Sequence, residues 1–130
     1  MSQPVWLTRN EVDAMQEMLI QRFGGTYGVR DGGAIDSALS RPRNKWEYES
    51  APLSVLAAAY AYGLAKNHGY VDGNKRIGFT CAASFLDING YCLVVGEPDA
   101  VLTMTSVCAN EVDEEQLAAW FDENTSPADY

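Results

Sequence analysis

Residues 50–90 read SAPLSVLAAAYAYGLAKNHGYVDGNKRIGFTCAASFLDING, two apolar-periodic runs separated by the polar, glycine-containing break NHGYVDGN at 67–74. In the first run Leu56, Ala59, Tyr60, Gly63 and Leu64 recur at the three-to-four spacing of one helix face. Ser50, with Pro52 just inside, suits the opening of that helix. Five alanines and one glycine between 57 and 65 leave little side-chain bulk, so the helix can approach its neighbours closely and is expected to be the central, most buried one. In the second run Ile77, Cys81, Ser84, Phe85 and Ile88 keep the same spacing until Asn89-Gly90 ends it.

Upstream, Thr8-Arg-Asn-Glu11 is a capping box, followed by Val12, Met15, Leu19 and Phe23 on one face and stopped by Gly24-Gly25. The run GGTYGVRDGG at 24–33 holds five glycines and predicts an exposed, mobile loop. A short helix over 34–41 is expected to end before Pro42, and residues 43–50 have no clear period. Downstream, Tyr91 to Val95 reads as a short strand or an extended connection. Pro98 starts a helix through Val101, Leu102 and Thr105, and Asp113 to Gln116 is a second capping-box-like start ahead of Leu117, Trp120 and Phe121. The fold class expected is all-α, with residues 1–130 forming one domain.

The chain has 130 residues, 47% of them hydrophobic and 21% charged, which suits a folded core rather than a disordered chain. Its net charge of -9 and pI near 4.4 repel polyphosphate backbones, so nucleic acid is not an expected direct partner. The charge is uneven: residues 1–76 carry nine cations and eight acids, whereas residues 77–130 carry ten acids and no cation. An anionic ligand should therefore bind the first part; the second is solvated surface or a docking face for a basic partner. Cys81, Cys92 and Cys108 have no CxxC spacing and sit among apolar neighbours, so they read as buried free thiols of a cytoplasmic protein. No apolar run reaches the roughly 20 residues of a membrane span, and no secretory signal is expected in the first thirty residues.

The break between the two central helices carries the chemistry. His68-Gly-Tyr-Val-Asp72-Gly73-Asn74-Lys75-Arg76 combines the only histidine with a carboxylate, two cations and an amide. Asn74, Lys75 and Arg76 fall at the start of a helix, where unpaired N–H groups and the positive dipole end attract anions. Two cations there oppose the dipole at roughly 0.3–1 kcal/mol each unless an anion compensates, so the expected ligand is a phosphate group. Gly73 lets that ligand approach the backbone, and Asn74 can cap the helix or hold the turn. An imidazole, with a free-solution pKa near ~6.5, can accept a hydroxyl proton at neutral pH, which makes His68 the candidate general base. Asp72 can orient that imidazole or hold Mg²⁺ against nucleotide phosphates, and the residue types leave both roles open.

Residues 68–76 resemble the signature of the Fic/Doc superfamily, His-x-Phe-x-(Asp/Glu/Asn)-(Gly/Ala)-Asn-(Gly/Lys)-Arg, at every defined position except Tyr70. Lys75, where Fic adenylyltransferases have Gly, is similar to the Doc (death-on-curing) toxin branch, and the order of elements over roughly residues 8–95 is also similar. The resemblance implies a Fic/Doc-type helical domain in which a long central helix leads through the motif loop into an anchoring helix. It implies His68 as base, Asp72 as the metal- or phosphate-orienting group, and Asn74, Lys75 and Arg76 as phosphate-binding residues. The family's Phe anchors the loop in the core; the hydroxyl of Tyr70 needs a partner if buried there. Fic adenylyltransferases carry a second Arg three residues after the motif, where this chain has Phe79.

The activity implied is that of a toxin in a toxin-antitoxin pair, a kinase moving the γ-phosphate of ATP, with Mg²⁺, to a Ser or Thr hydroxyl of a protein. The family's recognised target is elongation factor Tu, so translation is arrested. The autoinhibitory string Ser/Thr-x-x-x-Glu-(Gly/Asn) does not occur in these residues, so a separate antitoxin protein is the expected inhibitor. The alternatives are AMP transfer on the same scaffold, or a nucleotide- or antitoxin-binding module without turnover.

Overall fold

The computed structural model describes residues 2–129, which form six helices and one two-stranded sheet. The order is α1 (Arg9–Phe23), α2 (Gly32–Glu49), α3 (Leu53–Asn67), α4 (Asn74–Ile88), β1 (Tyr91–Leu93), α5 (Glu97–Cys108), α6 (Glu114–Asn124) and β2 (Thr125–Pro127). The expected all-α class holds, the sheet being one short antiparallel pair with Cys92 opposite Ser126.

Helix α3 is the axis of the molecule: α4, α2 and α6 pack around it, and Leu56 through Ala61 are fully buried. Its small residues permit this, because two helix backbones approach closely only where side chains are short. A Cβ on Gly78 of α4 would sit 2.8 Å from the Ala61 carbonyl oxygen and 3.4 Å from the Ala65 nitrogen, both backbone atoms of α3. Gly78→Ala should therefore force the two central helices apart and cost roughly 1–3 kcal/mol, despite the ~1 kcal/mol that alanine normally gains over glycine in a helix. Urea unfolding checks this, and an unchanged or raised midpoint would contradict the close contact.

At α1 the capping box is present as read, Thr8 accepting from the Glu11 N–H and Glu11 accepting from the Thr8 N–H. The buried face of α1 is shifted, however. Val12, Gln16, Leu19 and Ile20 are buried, while Phe23 is about half exposed. Two boundaries also differ from expectation. Helix α2 does not stop before Pro42 but runs through it to Glu49. Proline removes one N–H from the helical ladder, yet Ala38, Leu39 and Pro42 are buried on the core side and Trp46, a turn further, packs against the core. That continuous burial carries the helix past the missing bond. Ser50 then closes α2 in the left-handed region, φ 48, rather than opening α3, whose first turn follows Pro52.

Tyr91 to Leu93 is a strand because the chain end supplies a partner, Thr125–Pro127, directly after α6. Helix α5 buries Ala100, Met104 and Val107 and turns Val101, Leu102 and Thr105 outward. Of the cysteines, only Cys81 is fully buried; Cys108 is half-buried, and Cys92 is exposed because it points away from the core on the short sheet. Burial pushes the Cys81 thiol well up, which suits an unreactive packing role. No helix among the described residues is long and apolar enough to cross a membrane.

Candidate active site

The motif is laid across the gap between the end of α3 and the start of α4. His68 ends α3 in the left-handed region, φ 50 and ψ 45, which turns the chain sharply and leaves the imidazole exposed. A non-glycine residue is uncommon there, and histidine is among the types that tolerate it best. Gly69 is buried, and a Cβ on it would lie 2.3 Å from Ile35 of α2, so only glycine passes this point. Tyr70 is buried, Asp72 is exposed, and Gly73, φ 73, is the N-cap of α4.

Asn74 holds the turn. Its Oδ1 accepts from the Tyr70 N–H at 3.1 Å and its Nδ2 donates to the Tyr70 carbonyl at 3.0 Å, so both polar ends of the amide are spent on one backbone residue. Of the two uses open to this side chain, holding the loop is the one observed, which leaves the Asn74 N–H as its means of reaching an anion. With glycine as N-cap, α4 starts without a side-chain cap and with no acid in its first turn. Its N–H groups, its dipole and the exposed Lys75 and Arg76 all favour negative charge. The Arg76 guanidinium lies over the Phe23 ring at 4.4 Å, which accounts for the exposed phenyl at the end of α1.

Asp72 accepts through Oδ2 from the Thr26 N–H at 3.3 Å and through Oδ1 from the Gly73 N–H at 3.1 Å. Each oxygen keeps a further lone pair, so the carboxylate can still serve as a hard ligand. Among the described residues no three His, Cys, Asp or Glu side chains cluster in a metal-holding group. A single carboxylate with free lone pairs is the donor type that Mg²⁺ takes where phosphates complete its shell, so Asp72 is the residue here whose chemistry suits that ion.

The glycine-rich segment 24–33, expected to be exposed and mobile, is largely exposed and is hydrogen-bonded to the motif loop. Val71 N–H donates to the Gly28 carbonyl at 2.9 Å, and the N–H groups of Arg30 and Asp31 donate to the Gly69 carbonyl at 2.8 and 2.9 Å. A β-bridge joins Val29 to Tyr70, and a Cβ on Gly25 would meet Asp72 Oδ2 at 2.8 Å.

His68, Asp72, Gly73, Asn74, Lys75 and Arg76 together line one cavity of about 750 Å³, lined as well by Phe79 of α4 and by Ala100 and Met104 of α5. That volume is in the range of small-molecule and cofactor sites. All six candidate site residues of the motif are thus brought to one place, while Tyr70 lies buried beneath them in the core. Phe79 lies against Trp120, centroids 6.3 Å apart, so the position of a second arginine is filled by packing.

Three supporting residues on α1 were not anticipated. Tyr70 Oη donates to Asp13 Oδ1 at 2.5 Å, Arg9 Nε bonds both Asp13 oxygens at 3.1 Å, and Gln16 Nε2 donates to the Asp72 carbonyl at 2.7 Å. Gln16 did leave a trace, a polar residue on the Val12–Leu19 face; the Tyr70 hydroxyl called for a partner, but nothing marked Asp13, 57 residues away, as the one.

The profile described as the Fic/DOC family matches residues 6–86. The chain is 40% identical over 101 residues to a protein named Toxin Doc from Mycolicibacterium smegmatis, covering 75% of this chain and 78% of that one. It is 31% identical over 85 residues to Protein kinase doc of Escherichia phage P1, covering 65% of this chain and 68% of that one. With its signature loop assembled at the head of α4 and the match running from Trp6 into the last turn of α4, this chain belongs to the Fic/Doc family.

Proposed function

We propose that this chain is a Doc-type toxin that phosphorylates a protein hydroxyl with ATP, its target being elongation factor Tu and its inhibitor a separate antitoxin protein, in the cytoplasm. The observation that carries the reading is the convergence of an exposed imidazole, a carboxylate and an uncapped, cation-bearing helix start on one nucleotide-sized cavity. The names of the two relatives, a toxin and a protein kinase, support it. Lys75 in place of glycine and Phe79 in place of a second arginine favour phosphoryl over adenylyl transfer.

In the reaction, His68 accepts the proton of the target Ser or Thr hydroxyl as its oxygen bonds to the γ-phosphorus. The bond from that phosphorus to the β–γ bridging oxygen breaks, and ADP leaves. The α4 N–H groups, Lys75 and Arg76 stabilise the charge that builds on the phosphate oxygens. Asp72 is the residue that would hold Mg²⁺, which neutralises phosphate charge when bound.

ATP labelled at the γ or the α position, incubated with protein and lysate, tests the reading. Label reaching a protein from the γ position alone is the expected outcome; transfer from the α position means AMP transfer, and transfer from neither means a binding module without turnover.

A further inference from the structure

We propose that Asp13 and Gln16, one turn apart on α1, are positioning residues that set the motif loop over the cavity, and that the Tyr70 hydroxyl is the group through which Asp13 holds it. This rests on the functional reading above only for its kinetic consequence.

The loop is fixed from three sides. Asn74 clamps the Tyr70 backbone from within the motif, and the exposed segment 28–31 bonds Gly69 and Val71. The third side is α1, a full helix with its own core contacts. It grips at two points: Asp13 takes the Tyr70 hydroxyl at 2.5 Å and Gln16 gives a hydrogen bond to the Asp72 carbonyl at 2.7 Å. His68 and Asp72 each lie two residues from Tyr70, so a shift of its ring moves both.

Neither grip is explained by packing. Gln16 is 1% exposed, and its Oε1 has no hydrogen-bond partner. A buried amide that satisfies its donor and strands its acceptor weakens a core. What the residue does provide is a fixed donor under the carbonyl of Asp72. Tyr70 is likewise 1% exposed, and an apolar ring would fill its site without needing a carboxylate 57 residues away.

Asp13 is itself held. Arg9 bonds both its oxygens and reaches on to the Gly32 carbonyl at 3.2 Å and Asp36 Oδ1 at 2.9 Å, tying α1 to the start of α2. Burial, with the Asp13 contact, pushes the Tyr70 hydroxyl well above its ordinary range, so it stays protonated and remains the donor.

A double-mutant cycle on the full chain tests the proposal, with two readouts. One is amide exchange at Tyr70, Val71 and Gly73, which needs no knowledge of the reaction; the other is transfer from ATP. Tyr70→Phe and Asp13→Ala should each speed exchange at these amides roughly tenfold, the scale of a hydrogen bond to a charged acceptor. Each should lower kcat by about tenfold or more, with KM for ATP changed by less than ~3-fold, because misplacement affects the reacting geometry before nucleotide affinity. The double variant should be no worse than the worse single one, and Asp13→Asn, which keeps an acceptor oxygen, should recover most of the loss. Amides in the middle of α3 should exchange as in wild type, which separates loop release from general loss of stability.

Wild-type behaviour of Tyr70→Phe in both readouts would overturn the proposal, and so would single effects that multiply in the double variant. Wild-type protein that transfers nothing would count against the kinase reading, while the exchange cycle would still decide whether α1 holds the loop.

Discussion

Replacing His68 by alanine is expected to lower phosphoryl transfer by ~10²–10⁴-fold, the range over which a positioned base accelerates proton transfer. Affinity for ATP should change little, because the groups proposed to bind phosphate belong to the first turn of α4 and not to the end of α3. The position complicates the choice of variant. His68 sits at φ 50, where histidine and asparagine are better tolerated than alanine, so His68→Ala adds backbone strain of about 1 kcal/mol to the loss of the imidazole. His68→Asn keeps a residue suited to the left-handed turn while removing the base. Both variants should lose transfer to a similar degree, whereas only the alanine should lower the unfolding midpoint measurably. Single-turnover transfer from labelled ATP, with nucleotide affinity measured separately, reads both effects. Near wild-type transfer by His68→Asn would refute the base assignment.

The regions that could be read directly are those whose determinants are local. The α1 cap depends on Thr8 and Glu11, three residues apart; the central helix follows from a run of small apolar residues; the start of α4 at Asn74 follows from the glycine-containing break before it. Where the structure departs from the reading, a partner distant in sequence decided the outcome. Pro42 would end an isolated helix, but the buried faces of Ala38 and Leu39 before it and Trp46 after it hold α2 together. Tyr91–Leu93 is too short to declare itself, and becomes a strand because Thr125–Pro127 returns beside it. The hydroxyl of Tyr70 announced the need for a partner, but nothing near it in sequence says that the partner is Asp13. The site was therefore legible as a list of chemical groups and much less so as a supported arrangement. Its scaffold, α1 with Arg9, Asp13 and Gln16, works through long-range contacts.

The orientation of the nucleotide is the remaining determinant of the reaction, and Lys75 is the residue that tests it. Lys75 is exposed in the first turn of α4, lines the cavity with His68, Gly73 and Arg76, and occupies the position at which adenylyltransferases of the family carry glycine. On the phosphoryl-transfer reading proposed above, a long cationic side chain there is expected to fill the space beside the helix N-terminus and to draw the terminal phosphates toward the motif loop, turning the γ-phosphorus rather than the α-phosphorus to His68. Geometry, with the same base, then selects which phosphorus is attacked. Lys75→Ala removes the charge at no cost in helix propensity, and Lys75→Gly also opens the space, at a helix cost of up to ~1 kcal/mol. Both should reduce phosphoryl transfer by about 10²-fold or more, the loss expected when one group that stabilises developing charge is removed. Only the glycine variant should gain AMP transfer, and slowly, since Phe79 is packed against Trp120 where an arginine would otherwise stabilise the charge. Mass spectrometry of the modified target distinguishes an added phosphate from an added AMP in each case. Addition of AMP by the wild type, or undiminished phosphate transfer by Lys75→Gly, would show that Lys75 does not set the orientation.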